Sequence, residues 1–279
     1  MTITIKPSGQ ACGAEVRGID LGKPLSSEKV NAIKKAWSEY HVLSFPDQKM
    51  TDDDLEAFTC YFGSLNDEPF FHPIDGRRYV AAIERHADEK SPIFAESFHT
   101  DWSFKEQPPI GTCLYGITIP PKGGNTLFAN QHLAYQTMPK QLKDKVKNLV
   151  SIHSAAPAYG PDGVYGQEDP KLNRAMKPII SEKARETQTH PLIMQHPVNG
   201  REAIYGCLGY IVGVEGMEPE KALALLTELH AWQTQPEHIY AHEWQENMLV
   251  IWDNRSLLHC ATGGYDGYDR LLHRTTIWP

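Results

Sequence analysis

Short β-prone runs cluster at two places far apart in this chain, residues 79–83 and 112–117 on one side and 248–253 and 271–277 on the other. Pro and Gly turns such as Pro120-Pro121-Lys122-Gly123-Gly124 interrupt them, which is the texture of a sheet built from many short strands. Between the two clusters, residues 131–236 mix helical stretches (141–150 and 219–232) with Gly- and Pro-rich loops such as 158–163, and neither the helical nor the strand period is strong there. Strands at both ends with helices between them suit an α+β chain with a mainly β core. The expected fold is a double-stranded β-helix, a cupin-like jelly roll, with a helix and loop insertion over about 131–236. Two helices are expected before it. Ser27 caps one that carries Val30, Ile33, Trp37 and Tyr40 on one face, and Thr51 with Asp54 forms a capping box for a second with Leu55, Phe58 and Phe62. The 279 residues are read as one domain, long enough for one large core.

Charge and cysteine usage narrow the partners. A formal net charge of −8 with no long Lys/Arg cluster argues against nucleic acid and against an anionic membrane surface. A small anion would need a locally basic pocket. The five cysteines, Cys12, Cys60, Cys113, Cys207 and Cys260, are scattered singly, as in reduced cytosolic proteins. Residues 1–6 lack the basic and apolar regions of a signal peptide, and no run of about 18 apolar residues occurs. A soluble cytoplasmic protein is expected.

The tripeptide His99-Thr100-Asp101 is the first chemical signal. On a strand, residues i and i+2 project to the same side, so His99 and Asp101 can hold one metal ion together. Phe98, Trp102 and Phe104 surround the pair, an apolar setting in which two unpaired ionisable groups are costly. A third imidazole would complete a 2-His-1-carboxylate facial triad, which suits Fe(II) and leaves positions for a bidentate 2-oxo acid and for O2. Spacing does not choose that imidazole among His153, His190, His196, His259 and His273, each of which also reads as an ordinary surface or core histidine. Arg270 and Arg274 lie four apart in a strand-like run and share a face with Leu272 and Thr276. A guanidinium meets a carboxylate bidentately, which fits the distal carboxylate of 2-oxoglutarate for one arginine and an acidic substrate for the other. Their ordinary alternative is a rim pairing with Asp266 or Asp269. Thr126, after Gly123-Gly124-Asn125, can donate its hydroxyl to the same distal carboxylate.

These motifs together resemble the TauD/TfdA group of Fe(II)/2-oxoglutarate-dependent dioxygenases. The resemblance runs nearly end to end, through Gly13-Ala14-Glu15-Val16, Phe45-Pro46-Asp47-Gln48, Phe62-Gly63, His99-Thr100-Asp101, Gly123-Gly124-Asn125-Thr126, Trp252-Asp253-Asn254-Arg255 and His259 with Arg270 and Arg274. It implies that His99, Asp101 and His259 bind iron, that Thr126 and Arg270 hold 2-oxoglutarate, and that Arg274 faces an acid group of the substrate. It also implies homo-oligomers, and a substrate pocket to which His72, Trp102, Tyr159 and Tyr205 contribute. The implied reaction hydroxylates a small anionic sulfonate or carboxylate with O2, yields succinate and CO2, and continues to C–S, C–N or C–O cleavage where the hydroxylated carbon bears such a group. Taurine enzymes of the group carry a tyrosine just after a His-Pro phrase and an asparagine four residues before the first iron ligand. This chain keeps His72-Pro73 but has Asp75 and Ala95 at those places, so a substrate other than taurine is expected, one with a separate amine to meet Asp75. Two other readings of the same residues are a metal-dependent cupin hydrolase or lyase working through a metal-activated water, and a jelly roll that binds anions without turnover.

Overall fold

The computed structural model describes residues 3–279, and two facing sheets form its centre. The larger has seven strands in the order Thr4–Pro7, Ala14–Arg17, Val42–Phe45, Leu249–Asp253, Gly111–Thr118, Arg270–Ile277 and Ala81–Arg85. Neighbours are antiparallel except for Ala14–Arg17 beside Val42–Phe45. The smaller sheet has the order Ile239–His242, Thr126–Asn130 and Leu257–Ala261, and a single bridge from His99 to His259 extends its edge.

Period-two alternation explains how one strand serves two cores. In Leu249–Asp253 every residue is buried. Leu249 and Ile251 pack on the helical side with Trp37, Phe45 and Phe58, while Val250 and Trp252 point between the sheets to Phe128, Tyr240 and Leu257. The helical layer is Ser27–Tyr40 and Asp52–Cys60. The first helix is capped by Ser26 rather than the expected Ser27: Ser26 is extended, and its hydroxyl accepts from the Lys29 amide, whereas Ser27 is already inside the first turn. The Thr51–Asp54 capping box forms as expected. Phe62 lies beyond the second helix, yet it meets Trp37 edge-on at 5.5 Å. Phe58 is 1% exposed; Phe58→Ala is expected to cost about 3–5 kcal/mol, read as a lower urea midpoint at unchanged slope.

Strands Thr126–Asn130 and Ile239–His242 pair directly, so the segment between them leaves and re-enters the smaller sheet at adjacent positions. That segment contains helices Gln131–Thr137, Lys140–Val146 and Pro219–Gln233, a three-stranded sheet and a two-stranded one. Its own core includes Leu142, Leu192, Ile204, Leu226 and Leu229. The strand period is weak there because short polar strands such as Thr187–Pro191 bury a single side chain, His190.

Candidate active site

His99, Asp101 and His259 meet between the sheets, each offering one ligand atom, all within 4.8 Å of one another. Each imidazole Nε2 lies 3.8 Å from Asp101 Oδ1. The bridge sets this up: the His99 amide donates to the His259 carbonyl at 2.9 Å and the reverse bond measures 2.7 Å, which brings the two rings together, tilted by 45° with centroids 4.2 Å apart. The tripeptide does not run along one strand, contrary to expectation. Only His99 occupies the bridge; the chain turns at Asp101, and Trp102 takes φ +50°. A turn, not strand alternation, brings the carboxylate beside the imidazole.

Supporting hydrogen bonds fix the donor atoms. His99 Nδ1 donates to the Ser97 carbonyl at 2.9 Å, which leaves the Nε2 lone pair facing Asp101. Thr112 Oγ1 donates to Asp101 Oδ2 at 2.6 Å and accepts from Asn254 Nδ2 at 3.0 Å, and Asn254 Oδ1 accepts from the Trp252 indole at 2.9 Å. Burial lowers the pKa of both imidazoles, that of His259 to about 3, with His99 adding to the effect. Burial pushes the Asp101 carboxyl up, but His259, Arg274 and His99 together more than offset it, and the net direction is down. Two neutral imidazoles and an ionised carboxylate are the protonation states that a divalent metal requires. Thr112→Val removes the donor that orients Asp101, and metal affinity should fall about 10–100-fold, measured by anaerobic Fe(II) titration.

The competing histidines are all engaged elsewhere. His153 sits between the Ser103 and Ser151 hydroxyls, His190 bonds the Lys105 carbonyl, His196 contacts Asp253 at 3.0 Å and His273 contacts Asp52 at 2.6 Å.

A cavity of about 70 Å³ adjoins the triad, lined among others by His99, His259, Thr126, Arg270 and Arg274. Arg270 is 6% exposed, lies 5.9 Å from each of the Trp244 and Tyr265 rings, and donates to the Gly124 carbonyl at 3.2 Å. It forms no ion pair among the described residues, and its Nε has no hydrogen-bond partner. Asp269 accepts instead from the Ala87 amide, so the rim pairing is not formed. Thr126 Oγ1 accepts from the Trp244 indole at 3.0 Å, leaving its own proton to donate. Gly123, at φ +66°, packs against the Gly264 backbone, where a Cβ would stand 2.6 Å from the carbonyl carbon, and a Cβ on Gly124 would stand 3.2 Å from Arg270 Nε.

Arg274 also lines the cavity, but Glu68 holds it, Oε2 to Nη2 at 2.7 Å. Its guanidinium lies 5.0 Å from the Phe71 ring and 5.3 Å from the Trp102 ring. Burial works against the Arg274 charge, but Glu68, with Asp101 and Tyr159 adding to it, outweighs burial, so its pKa is raised. A second cavity of about 250 Å³ shares Phe94, Ala95, His99 and Arg174 with the first, and Phe98, Tyr159, Tyr165 and Tyr210 give it aromatic walls.

Of the expected pocket residues, Tyr159 lines the second cavity, Trp102 lines neither but packs against the Arg274 guanidinium, and the other two lie away from both. His72 is exposed and lines neither cavity, because its neighbour Phe71 takes the inward direction. Tyr205 is buried inside the insertion, its ring 5.5 Å from His190 and 6.0 Å from His153. Asp75 is exposed as well and lines neither cavity; the carboxylate that holds Arg274 is Glu68. Glu68 had no local signal, since Asn66-Asp67-Glu68-Pro69 reads as a surface turn. Asn254 stood in a motif already singled out, and its role depended on Thr112 arriving from another strand.

Comparison with known proteins identifies the family of the chain. The profile of the Taurine catabolism dioxygenase TauD, TfdA family matches residues 4–276. An alkylsulfatase of Acinetobacter baylyi is 33% identical over 267 residues, covering 95% of this chain and 81% of the relative. An alpha-ketoglutarate-dependent sulfate ester dioxygenase of Pseudomonas putida is 30% identical over 283 residues, covering 99% and 90%. The crystal structure of a taurine dioxygenase from Burkholderia xenovorans superposes with a TM-score of 0.81 at 28% identity, covering 100% of this chain and 90% of that one.

Proposed function

Because this chain belongs to the Taurine catabolism dioxygenase TauD, TfdA family, we propose that His99, Asp101 and His259 hold its Fe(II), that Thr126 and Arg270 receive the distal carboxylate of 2-oxoglutarate, and that Arg274 meets the acid group of the substrate. The protein is a 2-oxoglutarate-dependent dioxygenase that uses Fe(II), 2-oxoglutarate and O2 on small anionic organic substrates. The observation that carries the residue assignment is the pairing of a neutral-imidazole and carboxylate donor set with a buried arginine that has no counter-ion among the described residues. A hydrolase or lyase with a metal-activated water would have no use for Thr126 and Arg270.

Bound at this triad, Fe(II) with 2-oxoglutarate and O2 supplies an oxidant that hydroxylates a C–H bond, with succinate and CO2 as co-products. The chain's own part is placement. Arg270 offers two parallel donors and Thr126 a third to a carboxylate. Trp244 and Tyr265 keep water from that contact, and Arg274 anchors the substrate so that one carbon faces the metal ligands. The aromatic second cavity suits an apolar tail. A sulfate ester or sulfonate with such a tail therefore fits best. Hydroxylation of the carbon bearing the ester oxygen gives a product that breaks its C–O bond to an aldehyde and free sulfate.

The test is anaerobic addition of Fe(II) and 2-oxoglutarate, followed by O2 and candidate sulfate esters, sulfonates, aryloxy acids and amino acids, with succinate read above the uncoupled background. Absence of Fe(II)-dependent succinate under every condition would refute the assignment. Two further parts of the proposal concern the setting. The five cysteines are unpaired, four of them buried, which suits a reducing cytoplasm, and no helix among the described residues is long and apolar enough to cross a membrane. Assembly as a homo-oligomer is checked by light scattering, where a mass of 31.4 kDa would exclude it.

A further inference from the structure

Arg270 and Arg274 stand on one strand, each 6% exposed, and differ in their electrostatics. Arg270 has no ion-pair partner among the described residues, whereas Arg274 is bound to Glu68 at 2.7 Å. Glu68 is 8% exposed and lines neither cavity, whereas the Arg274 it holds lines the first. Its second oxygen, Oε1, is buried without a hydrogen-bond partner. Phe71 and Trp102 flank the guanidinium and keep water from screening the pair.

Resting on the reading above, in which an acid group of the substrate meets Arg274, we propose that Glu68 is a positioning and specificity-determining residue. It fixes the guanidinium and cancels most of its charge. The seat then accepts a singly charged acid with its charge spread over several oxygens, a sulfate ester or sulfonate, and refuses a doubly charged phosphate ester of the same shape. An anion placed against an already neutral pair adds uncompensated charge to a water-poor site, and such charge is costly. A sulfate ester adds one unit, dispersed over three oxygens, and keeps the remaining guanidinium donors as partners. A phosphate ester carries about −1.5 to −2 near neutral pH, and its additional charge finds no partner. Discrimination thus arises from a penalty on the wrong ligand rather than from a better contact to the right one.

The experiment uses the full chain loaded anaerobically with Fe(II) and 2-oxoglutarate, titrated calorimetrically with octyl sulfate and with octyl phosphate at slightly alkaline pH. The native protein should bind octyl sulfate at least about tenfold more tightly than octyl phosphate. Glu68→Gln keeps an acceptor for Arg274 and removes the charge, so the ratio should narrow about tenfold through a gain in phosphate affinity. Equal binding of the two probes by the native protein overturns the proposal, and that comparison needs no variant to fold. So does a Glu68→Gln ratio equal to the native one, which would make Glu68 neutral or merely structural, and so does octyl sulfate binding to neither protein. Succinate formed from 2-oxoglutarate when O2 is then admitted to the native protein with octyl sulfate present tests the metal and co-substrate assignment separately. Succinate with an unchanged ratio faults Glu68 alone, while its complete absence removes the underlying reading and this one with it.

Discussion

Asp101→Ala is expected to abolish Fe(II)-dependent succinate formation, with a loss on the order of 10³-fold or more, since a bound metal contributes several kcal/mol of transition-state stabilisation. Asp101 is the only carboxylate of the triad, and its Oδ1 is equidistant from the two imidazoles at 3.8 Å. Removing it takes away the single negative charge of the donor set and leaves two neutral rings. Asp101→Asn separates charge from shape: the amide oxygen still accepts from Thr112, so the turn keeps its geometry while metal affinity falls. Both variants should retain the native far-ultraviolet circular dichroism. Retention of more than about a tenth of the native turnover by Asp101→Ala, far above the residue left by a lost metal, would show that the metal sits elsewhere.

The second large effect is expected at Arg270. Removing one partner of a buried, hydrogen-bonded charge pair costs about 2–5 kcal/mol, so Arg270→Leu should weaken 2-oxoglutarate binding by roughly 10²–10³-fold. Arg270→Lys restores a point charge without the planar fork and should recover only part of it. Thr126→Val, which removes one hydroxyl donor, should cost about 1 kcal/mol, somewhat under tenfold. Anaerobic binding of 2-oxoglutarate to the Fe(II)-loaded protein reads all three. An unchanged dissociation constant in Arg270→Leu would place the co-substrate elsewhere, and the orphaned Arg270 Nε would then need another ligand.

Local patterns were legible where they depend on near neighbours. Strand alternation put Arg270, Leu272 and Arg274 on one face, and all three are buried, whereas the uniformly apolar 249–253 run left the sorting of Leu249 and Ile251 from Val250 and Trp252 to the structure. The Thr51 capping box was readable because four consecutive residues complete it. The insertion was readable only as an interruption, since its strands bury too few side chains to show a period. His72 and Tyr205 lie away from both cavities for a related reason. Position in a motif does not give direction, and the chain turned Phe71 inward and packed Tyr205 against His153 and His190.

The sequence by itself determined the donor chemistry: a histidine and an aspartate two residues apart, and two arginines in phase on one strand. Those follow from bond geometry over a few residues. Only the tertiary structure decided which distant histidine joins the pair, because that choice is made by two backbone hydrogen bonds between His99 and His259 across the sheet edge. It alone set Glu68 against Arg274, a contact between residues 206 positions apart. Pairings of that range are fixed by which strands and turns pack together, and no local period records them.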